Sequence, residues 1–228
     1  MKTPSPETYP LIIGTLTITY ILLVTTAVVI FIEALRQGAS NFISHMMNLE
    51  TAISVVATYF YSLFMDEFTI AENTNRPIDW EKVTAYRYID WSITTPIMLL
   101  VLMLFMANNI KLPVKVGTFA LVVILNYIML LFGYLGERGT MDRSTGVIGG
   151  FMAFGLMYYI IYAKFLKPKY SFANSVLFWF YAIVWSFYGI VYMIDEGYKV
   201  AILNILDLIS KCFVGLGLWA YYTRILAL

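Results

Sequence analysis

The chain has 228 residues, of which 61% are hydrophobic and only 13% charged, with a formal net charge of +1. Soluble domains carry roughly 25% charged residues, so this composition excludes an ordinary soluble domain and points to an integral membrane protein. The near-neutral balance and the lack of a basic tract exclude a nucleic-acid partner, and a single cysteine, Cys212, excludes an internal disulfide.

The N-terminal MKTPSPETYP is short, polar and proline-rich, with no cleavable signal pattern. Seven apolar stretches follow, each long enough to cross about 30 Å of hydrocarbon as a helix. They cover 11–35, 42–65, 84–107, 113–135, 144–166, 171–195 and 199–225. The expected fold is an all-α membrane protein, one seven-helix transmembrane domain over 1–228 that sits in a lipid bilayer. Only one connector is long, Asp66 to Lys82, and it is expected to fold over one mouth of the bundle.

Seven spans put the termini on opposite sides. The side shared by the C-terminus carries Arg36, Lys111, Lys115, Lys164, Lys167, Lys169 and Arg224, with Glu33 as its acid. The other side holds Lys2, Arg76, Lys82, Arg138, Arg143 and Lys199 together with most of the acids. The Lys/Arg bias favours an outside N-terminus and a cytoplasmic C-terminus.

In chain order, the first span carries threonines at 15, 17, 19, 25 and 26, whose hydroxyls can bond their own backbone. The second opens with the lone histidine, His45, read as interfacial, and buries Glu50 about two turns in. The third reads RYIDWSITTP from residue 87, placing Arg87 one turn before Asp90. The sixth holds WSFYG, with Trp185 at mid-span and Tyr188 one turn on. The seventh reads NILDLISKCFVG, so Asn204, Asp207 and Lys211 fall at i, i+3 and i+7 on one helix face.

A charge inside a bilayer is costly and is by default a functional-site hypothesis. The competing explanation is structural: Arg and Lys paired with Asp as interhelical glue. Lysine is an odd choice for glue. Arginine binds carboxylates with a fork and stays charged, whereas a buried lysine loses its proton readily and forms Schiff bases with carbonyl compounds. Such an adduct, once protonated, needs a carboxylate counterion. Asp207 in cis and Asp90 on the third helix are the candidates. Thr94, four residues after Asp90, can hydrogen-bond its carboxylate. Trp91 and Trp185 either pack the core or sandwich a flat apolar ligand.

These residues carry a resemblance. RYIDWSITTP resembles the third-helix signature R-Y-x-D-W-x-x-T-T-P of microbial (type 1) rhodopsins, DLISK their seventh-helix D-x-x-x-K, and WSFYG their sixth-helix W-x-x-Y-P, with Gly189 in place of proline. The motifs fall in the right helices in the right order. The resemblance implies that Lys211 carries all-trans retinal as a protonated Schiff base, that Asp90 is primary counterion and proton acceptor, and that Asp207 is the second counterion. It implies an extracellular Arg87 and a retinal pocket of Trp91, Thr95, Met98, Met129, Gly133, Trp185 and Tyr188. Asn126 matches a position where pumps often have a carboxylate. Relatives are commonly homo-oligomers, so a homo-oligomer is expected.

The pattern departs from proton pumps at Val101, where they place a carboxylic donor, and at Lys199, where one member of the extracellular release pair is expected beside Glu196. The chain is similar to the rhodopsins of giant algal viruses. One group of these conducts cations under light, using a Ser/Thr, a second-helix Glu and an Asn seven residues before the lysine. Thr17, Glu50 and Asn204 are the matching residues, expected to form one polar constriction for small cations, with Asn204 on the cytoplasmic side of Asp207. The expected function is a non-enzymatic retinal photoreceptor acting as a light-gated cation channel. An outward proton pump with slow reprotonation and a sensor are the alternatives.

Overall fold

The computed structural model describes residues 6–38, 40–194 and 196–226. After a 3₁₀ turn at Pro6–Thr8, the helices are α1 (Tyr9–Ala34), α2 (Asn41–Thr74), α3 (Trp80–Ile110), α4 (Val116–Glu137), α5 (Arg143–Ile161), α6 (Phe172–Val191), α7 (Glu196–Asp207) and α8 (Val214–Tyr222). A π-helical stretch, Tyr162–Leu166, extends α5, and another, Leu208–Phe213, joins α7 to α8 into one seventh column. No strand occurs among the described residues.

Local chemistry sets the helix ends. Ser40 caps α2 by accepting from the Ile43 amide at 3.3 Å, and Asp142 caps α5 by accepting from the Ser144 and Thr145 amides. Both satisfy first-turn donors that lack an intrahelical partner. Asn75 ends α2 in the left-handed region at φ 50°, a conformation that asparagine tolerates better than most residues.

Among the described residues, six helical stretches are long and apolar enough to cross a membrane. The exception is α2. It contains the expected span 42–65 but continues to Thr74, carrying Asp66, Glu67 and Glu72 in its last turns. The 66–82 connector, expected to lie over the bundle mouth, is therefore mostly helix. Glu67 explains why: its side chain is buried, and its carboxylate takes ion pairs from Arg76 at 2.8 Å and Lys82 at 3.2 Å and a hydrogen bond from the Asp79 amide.

The chain divides into two compact units, one of residues up to Thr94 and from Ile190 onward, the other of Thr95–Gly189. In the first, Ile12, Leu16 and Leu23 of α1 pack with Ala57, Phe60, Tyr61, Phe64 and Phe68 of α2 and with Leu208 and Cys212 of the seventh column. Ile18, Ile21, Val28 and Ile32 face outward from α1 and are exposed, the pattern of a lipid-facing helix whose polar backbone is satisfied internally. In the second unit, Gly149 of α5 sits so close to Phe132 of α4 that a Cβ there would lie 2.5 Å from its ring. Close approach at small residues is how membrane helices gain packing energy without a hydrophobic driving force.

Candidate functional site

The first unit buries two cations and two carboxylates together. Lys211 is 1% exposed and Asp90 is fully buried. Lys211 Nζ donates to Asp90 Oδ2 at 2.6 Å and lies 3.6 Å from Asp207 Oδ2. Arg87 Nη1 lies 3.5 Å from the same Asp207 oxygen, and its guanidinium stacks over the Phe64 ring at 5.0 Å. Two positive and two negative charges cancel formally, which is what a buried ionic cluster requires.

The two aspartates are held differently. Asp207 accepts from Trp91 Nε1 at 3.1 Å and from the Tyr61 hydroxyl at 3.0 Å, besides its contacts with Arg87 and Lys211. Asp90 takes one short bond from Lys211, and its Oδ1 has no hydrogen-bond partner. Thr94, expected to bond the Asp90 carboxylate, donates instead to the Asp90 backbone carbonyl at 2.8 Å. This is the i−4 back-bond that helical threonines favour.

Lys211 lies within the π-helical Leu208–Phe213. Single π turns concentrate at functional sites, and nothing in the periodicity of the seventh stretch announces this one.

Asn204 lies on the Arg87 side of Asp207, which corrects its expected placement. Helix direction decides this: α7 runs from Glu196 through Asn204 and Asp207 towards Lys211, as α3 runs from Trp80 through Arg87 to Asp90. Asn204 Oδ1 accepts from Arg87 Nη2 at 2.8 Å, and its Nδ2 donates to Thr15 Oγ1 at 3.1 Å. Thr19 Oγ1 donates to the Asn204 backbone carbonyl at 3.1 Å. The first-helix contributors are thus Thr15 and Thr19, and Thr17 is half-buried. Thr15 and Thr19 are one turn apart on one face, whereas Thr17 points about 160° away from Thr19.

Glu50 lies elsewhere. It is 1% exposed, and its Oε2 comes within 3.0 Å of where a Cβ on Gly215 would sit. Gly215 is four residues past Lys211, beyond it from Asn204. Glu50, Asn204 and Thr17 therefore do not meet in one constriction.

The remaining sequence candidates fall as follows. Trp91 is buried against the cluster. In the second unit, Thr95 accepts from Asn126 Nδ2 at 2.8 Å, Met98 is buried, and Trp185 is buried between the rings of Tyr158 and Tyr181. Met129, Gly133 and Tyr188 are half-buried. Gly189, in the family proline's place, faces the Phe151 ring, which a Cβ would approach to 2.6 Å. Val101 is fully buried, and Lys199 is buried with its ammonium 6.0 Å from the Tyr192 ring. The Glu196 side chain and Lys2 lie outside the described residues. Sequence reasoning missed Tyr61, because an aromatic residue in an apolar run reads as core.

The model of bacteriorhodopsin-like proteins matches residues 12–225. The chain belongs to this family. The fold of the viral rhodopsin OLPVRII superposes on this rhodopsin with a TM-score of 0.86 at 38% identity, covering 95% of this chain and 100% of that one. The proton-pumping rhodopsin AR2 of the marine alga Acetabularia acetabulum shares the fold, with a TM-score of 0.76 at 22% identity over 99% of both chains. A green-light absorbing proteorhodopsin of Gamma-proteobacterium EBAC31A08 is 28% identical over 151 residues, 60% of this chain and 60% of its own length. The protein is accordingly a multi-pass membrane protein with the seven-helix rhodopsin fold and a retinal photoreceptor, in a family whose typical work is ion transport. The residues fit that chromophore: a primary amine, buried and flanked by two carboxylates, is the donor set an aldehyde requires.

Proposed function

We propose that this rhodopsin is a light-driven proton transporter in which a proton leaves the Lys211 nitrogen for Asp90. One observation carries the reading: Lys211 Nζ lies 2.6 Å from Asp90 Oδ2, while Asp90 Oδ1 has no competing donor. All-trans retinal is the chromophore in this reading, attached at Lys211, with Trp91 among its contacts. When bound, it supplies light absorption and a change of shape that alters the surroundings of the Lys211 nitrogen.

The chain's own residues do the rest. Asp90 takes the proton: the N–H bond at Lys211 breaks and an O–H bond forms at the carboxylate. Asp207, held by Trp91, Tyr61 and Arg87, keeps its charge and fixes the orientation of its neighbours. Arg87, latched by Asn204 and stacked on Phe64, balances the carboxylate that remains charged.

A cation channel is the reading that the Glu50, Asn204 and Thr17 pattern favours in sequence. It needs all three at one constriction. Glu50 touches the Gly215 turn, whereas Asn204 is engaged with Arg87 and Thr15, which supports transport over conduction. Orientation follows the Lys/Arg bias, with the C-terminus cytoplasmic.

The test is voltage-clamped photocurrent in a retinal-supplied cell. A current of one sign at every holding voltage, abolished by Asp90→Asn, is the expected result. A current that reverses with voltage and follows cation gradients would establish conduction instead.

A further inference from the structure

We infer that the end of the second unit where α3 and α5 finish and α6 begins is a clasped lysine surface that binds the headgroups of anionic phospholipids. This surface is independent of the proton chemistry at Lys211.

The sequence supplies the charge. Residues 106–116 and 162–172 carry Lys111, Lys115, Lys164, Lys167 and Lys169, and no acid. All of these lysines are exposed, and none forms an ion pair among the described residues. The other end of the unit is different. The turn between α4 and α5 holds Glu137, Arg138, Asp142 and Arg143, whose charges cancel, and Arg143 lies 3.4 Å from Glu137.

The fold brings the two lysine segments together. Asn174, near the start of α6, is fully buried. Its Nδ2 donates to the Met106 carbonyl of α3 at 3.0 Å and to the Phe165 carbonyl at 3.4 Å, and its Oδ1 accepts from Asn109 Nδ2 at 2.8 Å. Phe165 belongs to the π-helical stretch that extends α5. The last carbonyls of a helix lack intrahelical partners, so one asparagine serves the ends of two helices and fastens a third to them. Lys111 lies just past Asn109, Lys164 and Lys167 flank Phe165, and Lys169 shortly precedes Asn174. Like charges gathered on one surface repel one another until a counter-charge covers them. Compensation of the helix dipole accounts for a lysine at the end of α3. It does not account for Lys115, the N-cap of α4, which has no side-chain cap bond and sets a cation against the positive end of the dipole. An anion beside Lys115 removes that conflict.

The bilayer holds the partner of matching chemistry. The lysines lie in or just past the last turns of helices long and apolar enough to cross it. Tyr170, 77% exposed, stands among them, and tyrosine is enriched at the level of the headgroups. A lysine cluster at that level attracts anionic lipid. An ammonium is a point charge without the fork of arginine, so the surface selects negative charge rather than one particular headgroup.

The test is lipid selectivity. The retinal-loaded protein is reconstituted in phosphatidylcholine vesicles with a trace of spin-labelled phosphatidylglycerol or spin-labelled phosphatidylcholine. Electron paramagnetic resonance reads the share of label immobilised on the protein, and label in both leaflets makes the result independent of orientation. In wild type the anionic lipid should associate about fivefold more strongly, the scale of one close lysine at an anionic surface. The preference should fall below about twofold in about 1 M salt, where screening reaches about 3 Å. Lys111→Gln, Lys115→Gln, Lys164→Gln, Lys167→Gln and Lys169→Gln together should abolish it, whereas Arg138→Gln with Arg143→Gln should leave it intact. Asn174→Leu keeps every lysine but unfastens the segments, and should lower the preference. Asn109→Leu should act likewise, and because Asn109 is only half-buried it guards against an Asn174 variant that fails to fold. Inorganic phosphate added at constant ionic strength should not displace the lipid. Equal association of both lipids with wild type, a preference that survives loss of the lysines, an undiminished preference in both asparagine variants, or displacement by phosphate would each overturn the assignment.

Discussion

Asp90 and Asp207 are the same residue type, both fully buried, and their partners set them apart. Asp207 is bonded by Trp91 and Tyr61 and approached by Arg87 and Lys211, whereas Asp90 has one short bond and one open oxygen. Asp90→Asn removes the closest partner of a buried cation. Such a loss costs about 3–5 kcal/mol, and Asp207 at 3.6 Å holds it near the lower end. The expected result is no light-driven proton movement and a lower unfolding midpoint in detergent. Transport at the wild-type rate would hand the acceptor role to Asp207. Asn204→Ala breaks a hydrogen bond to a charged donor, worth about 1.5–3 kcal/mol, and thermal unfolding should register a loss of that size. Thr17→Val should leave the midpoint unchanged. That Arg87, Asp90, Asp207 and Lys211 would gather was legible in sequence because intramembrane charges are rare and their spacing is short. The hydrogen-bond assignments were not. Nothing in one sequence tells which threonine of a helix meets an asparagine 189 positions on, although the i, i+4 spacing of Thr15 and Thr19 held the hint.

At the scale of elements, apolar length located the helices well, and polar composition misled at the end of α2. The run from Asp66 to Lys82 reads as a loop because its side chains are charged, yet those charges satisfy one another. Burial alone would push the Glu67 carboxyl up, but hydrogen bonds from Arg76, the Asp79 amide and Lys82 outweigh it and hold it down to about 2. Glu67 lies beyond the apolar span, beside partly exposed Arg76 and Lys82. A carboxyl held below its ordinary 4.5 adds stability that is fully present above that value and is lost as pH falls towards about 2. Thermal unfolding followed from about pH 6 to about pH 2 should show this loss in wild type and less of it in Glu67→Gln. Equal slopes in both would remove Glu67 as the anchor of this connection. Between α4 and α5 the constraint is steric. Gly149→Ala would set a methyl 2.5 Å from the Phe132 ring. Overpacking of this kind costs about 1–3 kcal/mol, whereas Gly155→Ala, with nothing within 4 Å of the new carbon, should be neutral in the same melt.

For the whole molecule, orientation and transport direction are one question. Under the proposed proton transport, a proton that leaves Lys211 for Asp90 and moves on past Arg87 would exit at the end where α3 and α7 begin. Counted along seven alternating spans, the 138–142 connector follows an even number of them, as do the starts of the third and seventh, and the 167–170 connector follows an odd number. Lysines crowd the latter, with Lys164, Lys167 and Lys169 in a short segment, and a positive bias of this kind marks the cytoplasmic face. Single cysteines can read this directly, because the native Cys212 is buried and shielded from a membrane-impermeant maleimide. Thr140→Cys should label in intact cells, and Lys169→Cys, also exposed, should label only after permeabilisation. With that topology, illumination of a cell suspension should acidify the medium. The reverse labelling pattern requires alkalinisation if the path through Lys211 is right. Reverse labelling together with acidification would mean that the proton does not leave by way of Asp90 and Arg87.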